Sequence, residues 1–218
     1  MNNYKIIKIY HAIDPTTMFL KPLEHLGESY SPFDQDTPNY FIQDVKNFDE
    51  NSLIIFAGHG FSDGLYRPSD VRRDDENYLM MDAIQANICF KDHDVILLAC
   101  RSEQFIRKLS TFNKIIGFGN IISSQDEIVT YNSKNSEKII MSDEDLDIFN
   151  QSYTDSFCKV ISLVQSHRID FLEIPLYINY FINKKINSIL KNKGLNNRRE
   201  IARQLFRFRN EMRLLKGA

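Results

Sequence analysis

The chain has 218 residues, 43% hydrophobic and 26% charged, values that exclude global disorder and suit one domain with an appendage. Its net charge of −2 hides an asymmetry. Residues 182–218 hold 11 of the 27 Lys and Arg but only 2 of the 29 Asp and Glu, a net of +9 against −11 for everything before them.

Residues 4–10 read as a first strand, ending near His11 and Asp14. Residues 15–38, punctuated by Pro15, Pro22, Pro32 and Pro38, are expected to form turns around a short helix. Phe41, Val45 and Phe48 then share a helical face, leading into an apolar strand at 52–57 that ends in Gly58-His59-Gly60. The polar stretch 61–77 reads as a loop beside that strand end. After an extended segment at 78–81, Asp82 can cap a helix starting at Ala83. The run Asp94-Val95-Ile96-Leu97-Leu98-Ala99-Cys100 is a second unbroken apolar strand, ending in a cysteine. Phe105, Ile106, Leu109 and Phe112 predict a helix, 114–119 a strand, and 120–141 a long polar loop. Ser142-x-x-Asp145 is a capping-box start for a helix at 144–165 carrying Leu146, Phe149, Tyr153, Phe157, Val160 and Val164. Pro175 opens another helix, and Asn197 is placed to cap a last one with Ile201, Leu205, Phe208 and Met212 on one side and arginines on the others.

Continuous apolar strands alternating with helices predict an α/β fold with a mainly parallel sheet covered on both faces. In such sheets ligands bind outside the carboxyl ends of the strands. If the strands at 52–57 and 95–99 are neighbours, His59 and Cys100 meet at that edge as base and nucleophile. A free thiol has a pKa near ~8.5, so a nearby histidine is needed to hold the thiolate and later to protonate a leaving amine. Acyl transfer also needs oxyanion donors; the N–H groups of Gly60 and Cys100 are the candidates. Cys89 and Cys158 read as core residues, and His11, His25, His93 and His167 as surface or capping residues. Three cysteines at spacings of 11 and 58 residues form no disulfide framework or zinc pattern. The absence of a signal-peptide core or membrane-spanning run leads us to expect a soluble, cytoplasmic protein, with no metal or organic cofactor.

A strand ending in His59-Gly60, followed about forty residues later by one ending in Ala99-Cys100, resembles the caspase-like cysteine peptidases. Caspases show Gln-Ala-Cys-(Arg/Gln/Gly)-Gly with the histidine ~50 residues upstream; here Ala99-Cys100-Arg101 matches and the outer Gln and Gly do not. The prokaryotic CHAT-type branch is closer. Its His-Gly, then a strand and helix, then Leu-x-Ala-Cys-x-Ser, is similar to Leu79–Ile84 and Leu97–Ser102. The resemblance implies a three-layer caspase-like sandwich over residues 1–170 with a basic helical extension at 171–218. It also implies a cysteine endopeptidase acting on a protein substrate, with Cys100 as nucleophile and His59 as general acid and base. Family members often serve as regulated switches in bacterial antiviral defence or cell death, gated here by the 61–77 or 120–141 loop. Related metacaspase-like enzymes hold Arg or Lys on an acidic residue after the first strand, which makes Asp14 the candidate substrate-binding residue. The alternative is a catalytically inactive caspase-like module that regulates a partner.

The basic C-terminal helix has three readings: it docks on the acidic body, binds a regulatory protein partner, or contacts nucleic acid or anionic lipid. Its apolar stripe favours protein contact, since a stripe must be buried against something.

Overall fold

The computed structural model describes residues 4–37, 39–48, 51–68 and 78–217. In chain order its strands are β1 (Ile7–Ala12), β2 (Tyr30–Phe33), β3 (Leu53–Ala57), β4 (Gly60–Phe61), β5 (Gly64–Tyr66), β6 (Leu79–Met81), β7 (Asp94–Leu98), β8 (Lys114–Gly117) and β9 (Arg213–Lys216). The helices are α1 (Tyr40–Val45), α2 (Ala83–Cys89), α3 (Ser102–Phe105), α4 (Gln125–Lys134), α5 (Asp143–Gln165), α6 (Ile174–Lys191) and α7 (Arg198–Asn210). A six-stranded sheet runs β2-β1-β3-β7-β8-β9, parallel throughout except for the β8–β9 pair. A small antiparallel sheet, β4-β5-β6, stands beside it.

The unbroken apolar strands follow from burial on both faces. Side chains alternate along a strand, so Leu53, Ile55 and Ala57 face one layer while Ile54 and Phe56 face the other. Beneath the first lie α5, α6, α7 and a 3-10 segment at Met18–Ser29; beneath the second lie α1, α2 and α3. The result is a three-layer α/β sandwich.

Residues 171–218, expected as a basic helical C-terminal extension, pack against this body. Ile178, Ile182, Ile201, Leu205 and Phe208 are buried in the first core, and Phe208 stacks between Phe118 and Tyr153 with ring centroids 5.1 and 4.8 Å away. Strand β9 then adds to the sheet edge beside β8. Met212 and Leu215 continue the spacing of α7, which is why periodicity reads this strand as helix. Of the three readings given for the basic helix, docking on the body is the contact present here. Its stripe is internal, and Arg203 and Arg207 both pair with Glu137.

Other elements differ from expectation for local reasons. Strand β2 (Tyr-Ser-Pro-Phe) contains Pro32, which a sheet tolerates at an edge where no ladder hydrogen bond is lost. Helix α4 lies in the stretch expected as loop; Ile128 is its one fully buried side chain, so it has no stripe to read. The helix expected through Phe112 is one α turn and a 3-10 turn, although Phe105, Ile106, Leu109 and Phe112 are all buried. Asp82 caps α2 and the Ser142/Asp145 capping box forms, both as expected, and Gln85 completes a second box with Asp82. Asn197 precedes α7, but its amide donates to Asp145 Oδ2 (2.8 Å) rather than capping its own helix. Pro38 and residues 69–77 of the expected gating loop lie outside the described residues.

Candidate functional site

Four successive strands of the parallel sheet each deliver one polar residue to the same carboxyl edge. Ala57 of β3 lies opposite Leu98 of β7, and the Gly58 N–H donates to the Leu98 carbonyl at 3.1 Å. His59 and Cys100 therefore emerge from adjacent strands, as the sequence predicts, and both line one narrow cavity of about 20 Å³ with Thr17, Phe19, Glu127 and Tyr153. On the outer side of β3, β1 leads into Asp14; on the outer side of β7, β8 leads into Asn120. Across the edge the order is Asp14, His59, Cys100, Asn120.

Asp14 is 5% exposed, and its carboxylate faces the protein. One oxygen, Oδ2, lies 2.7 Å from His59 Nε2. The other accepts from the Thr16 N–H (2.9 Å), the Thr16 hydroxyl (2.7 Å) and the Thr17 N–H (3.1 Å). The Thr16 hydroxyl oxygen is in turn 3.0 Å from His59 Nε2. Asp14, expected to bind a substrate side chain, here turns its carboxylate toward His59 and the Thr16–Thr17 turn.

The chain turns sharply at Cys100. Arg101 adopts the left-handed conformation (φ 54°), which costs a non-glycine residue roughly 1–2 kcal/mol. Several bonds hold the turn. The Arg101 N–H donates to the Gly119 carbonyl (2.8 Å), and the Arg101 guanidinium sits 4.6 Å from the Phe61 ring centroid. Fully buried Ser102 donates its hydroxyl to the Leu97 carbonyl (2.7 Å) and accepts from the Phe118 N–H (2.8 Å), tying the ends of β7 and β8 together. The Cys100 thiol donates to Asn120 Oδ1 at 3.2 Å, and the Asn120 N–H donates to Glu211 Oε2 at 3.0 Å.

Gly60 abuts the same turn. A Cβ there would lie 2.9 Å from Ala99 Cβ and 3.4 Å from the Cys100 carbonyl oxygen. Gly60 faces Leu65 across β4–β5, and the flanking bond runs from the Tyr66 N–H to the His59 carbonyl (3.0 Å). That makes Gly60–Leu65 a non-hydrogen-bonded pair, so the Gly60 N–H is directed away from β5.

The other candidates fall elsewhere. Burial raises the Cys89 thiol above its ordinary value, and burial followed by the nearby Asp155 charge pushes Cys158 up to about 11. Both are therefore protonated at neutral pH and unsuited to attack. Tyr153, at the cavity wall, is raised well above its usual range, first by burial and then by the charges of Glu127 and Cys100. His25 and His167 are exposed as expected, whereas His11 and His93 are buried rather than at the surface. His11 belongs to β1, its ring bonded to the Tyr30 hydroxyl (2.8 Å) and the Thr17 carbonyl (3.1 Å). Among the described residues, no group of three or more His, Cys, Asp or Glu could hold a metal ion, and no helix is long and apolar enough to cross a membrane.

Two residues of the site, Thr16 and Asn120, escape sequence reasoning, and Ser102 enters it only as the last residue of the resemblance motif. Asn120 carries the same signal that marks His59 and Cys100, a polar residue just past an apolar strand. Thr16 and Ser102 act through short-range bonds that only the folded turns reveal. No protein-family model, curated protein or solved structure matches the chain.

Proposed function

We propose that this protein is a caspase-like cysteine endopeptidase, cleaving a protein substrate through Cys100 and His59. The observation that carries the reading is the delivery of both side chains from adjacent parallel strands into one cavity, beside a glycine whose N–H is turned from its hairpin. The Cys100 thiol gives its proton to His59, and the thiolate attacks the scissile carbonyl. Charge on the tetrahedral oxygen is taken up by the Gly60 and Cys100 N–H groups, each such donor being worth about 2.7–4 kcal/mol of barrier. The imidazolium protonates the leaving amine as the C–N bond breaks. Water then attacks the thioester, its proton passing to His59 and on to the departing thiol.

One observation favours a second reading, a module that binds partners without turnover: the Cys100 thiol donates to Asn120, a partner other than His59. Peptide-library cleavage read by mass spectrometry separates the two. A peptidase produces cuts in the wild type that vanish in Cys100→Ala, and the residues around those cuts define its preference. An interaction module produces none in either protein. A regulated role in antiviral defence or cell death, a cytoplasmic setting and an activating partner remain part of the proposal, on the strength of the resemblance alone.

A further inference from the structure

We infer that Asp14 and Thr16 are positioning residues for His59, fixing its ring so that Nε2 carries the proton and the exchange with Cys100 takes place at Nδ1. The inference rests on the peptidase reading and extends it to a Cys100–His59–Asp14 relay. An ionised carboxylate only accepts hydrogen bonds, so the nitrogen 2.7 Å from Asp14 Oδ2 must be the donor. Neutral imidazole has one donor and one acceptor nitrogen, which leaves Nδ1 as the base. Thr16 reinforces this assignment. Its hydroxyl proton is directed to Asp14 Oδ1 (2.7 Å), so toward Nε2, 3.0 Å away, it presents a lone pair.

The geometry is built rather than incidental. The side chains of Asp14 and His59 are 1% and 6% exposed, so the pair is shielded from water and the ring has little room to turn. Two backbone N–H groups of the Thr16–Thr17 turn hold the carboxylate before His59 is counted. Thr17 anchors that turn to the end of β1 by donating its hydroxyl to the Ala12 carbonyl (2.7 Å). A buried carboxylate behind the ring also offsets the positive charge that His59 acquires when it takes the thiol proton. Asp14 thus acts on the histidine, and recognition of the substrate side chain falls to other residues.

Histidine-¹⁵N-labelled wild type, studied by long-range ¹H–¹⁵N correlation above neutral pH, tests the tautomer directly. His59, assigned by the loss of its signal in His59→Gln, is expected to show a protonated Nε2 and a bare Nδ1; the reverse pattern would overturn the inference. In peptide cleavage, Asp14→Asn is expected to lower kcat by roughly 10²–10⁴-fold for every peptide. KM and cleavage preference should stay unchanged, and Asp14→Glu should recover part of the loss. A changed preference with kcat retained would instead make Asp14 a substrate-binding residue. If the wild type itself cleaves nothing, that result counts against the peptidase reading and not against this one, and the tautomer experiment still decides the state of His59.

Discussion

At the scale of single residues, the site is an arrangement of short polar bonds at the end of an apolar sheet. His59 and Cys100 are legible in the sequence because each ends a run of residues that can only be a buried strand. The bonds that orient them are not, since Asp14 Oδ2 and His59 Nε2 are 45 positions apart and meet only through the β1–β3 pairing. His11 shows how burial sets chemistry under the same edge. Its removal from water holds the imidazole down at about 4, with the Thr17 carbonyl bond acting in the opposite direction. Because the folded value lies below the ordinary 6.5, the unfolded chain binds the extra proton first. The neutral buried state is therefore fully favoured above pH 6.5, and its contribution is lost as pH falls from about 6.5 to about 4. That loss amounts to about 3 kcal/mol. Urea midpoints measured from pH 7 to 4 should fall less steeply in His11→Gln than in the wild type; parallel slopes would show that His11 does not carry the effect.

At the scale of elements, the turn after β7 is held by Ser102, and the Cys100 backbone has little freedom as a result. Ser102→Ala leaves the Leu97 carbonyl and Phe118 N–H without that partner in a buried setting, at a cost of about 1–3 kcal/mol. We expect a lower urea midpoint together with a lower kcat, although the hydroxyl touches no substrate. Gly60→Ala tests the neighbouring element. Its methyl meets Ala99 at 2.9 Å and presses on the Cys100 turn, so it should destabilise the fold by roughly 1–3 kcal/mol. It should also reduce cleavage by about 10²–10³-fold as the oxyanion donor shifts. Full activity in Gly60→Ala would remove Gly60 from the oxyanion site. The elements themselves were readable where one face is apolar over several turns, as in α5, α6 and α7. The edge strand β2, the sparsely buried α4 and the terminal β9 carry too short or too weak a pattern for periodicity to reveal.

At the scale of the whole molecule, the charge asymmetry of the sequence becomes an internal contact. The basic C-terminal region folds back, with Arg203 and Arg207 on Glu137 and Lys185 on Asp155 at 2.7 Å. Composition shows that opposite charges are segregated along the chain; it cannot show that they meet within one body. The same region reaches the site. Glu211 follows α7 and holds the Asn120 N–H, one residue from the carbonyl that receives the Arg101 N–H. A chain ending at residue 210 loses both β9 and Glu211, and leaves β8 as an open sheet edge. We expect it to lose cooperative thermal unfolding or to melt far below the full chain. An unchanged Tm would mean that β9 is dispensable.

The most direct measurement of the central claim is covalent labelling with a peptidyl acyloxymethyl ketone, mapped by mass spectrometry after digestion. The account predicts rapid modification at Cys100, slowed strongly in His59→Ala, with Cys89 and Cys158 left unmodified. Equal labelling rates with and without His59, or modification at Cys158 in preference to Cys100, would contradict it.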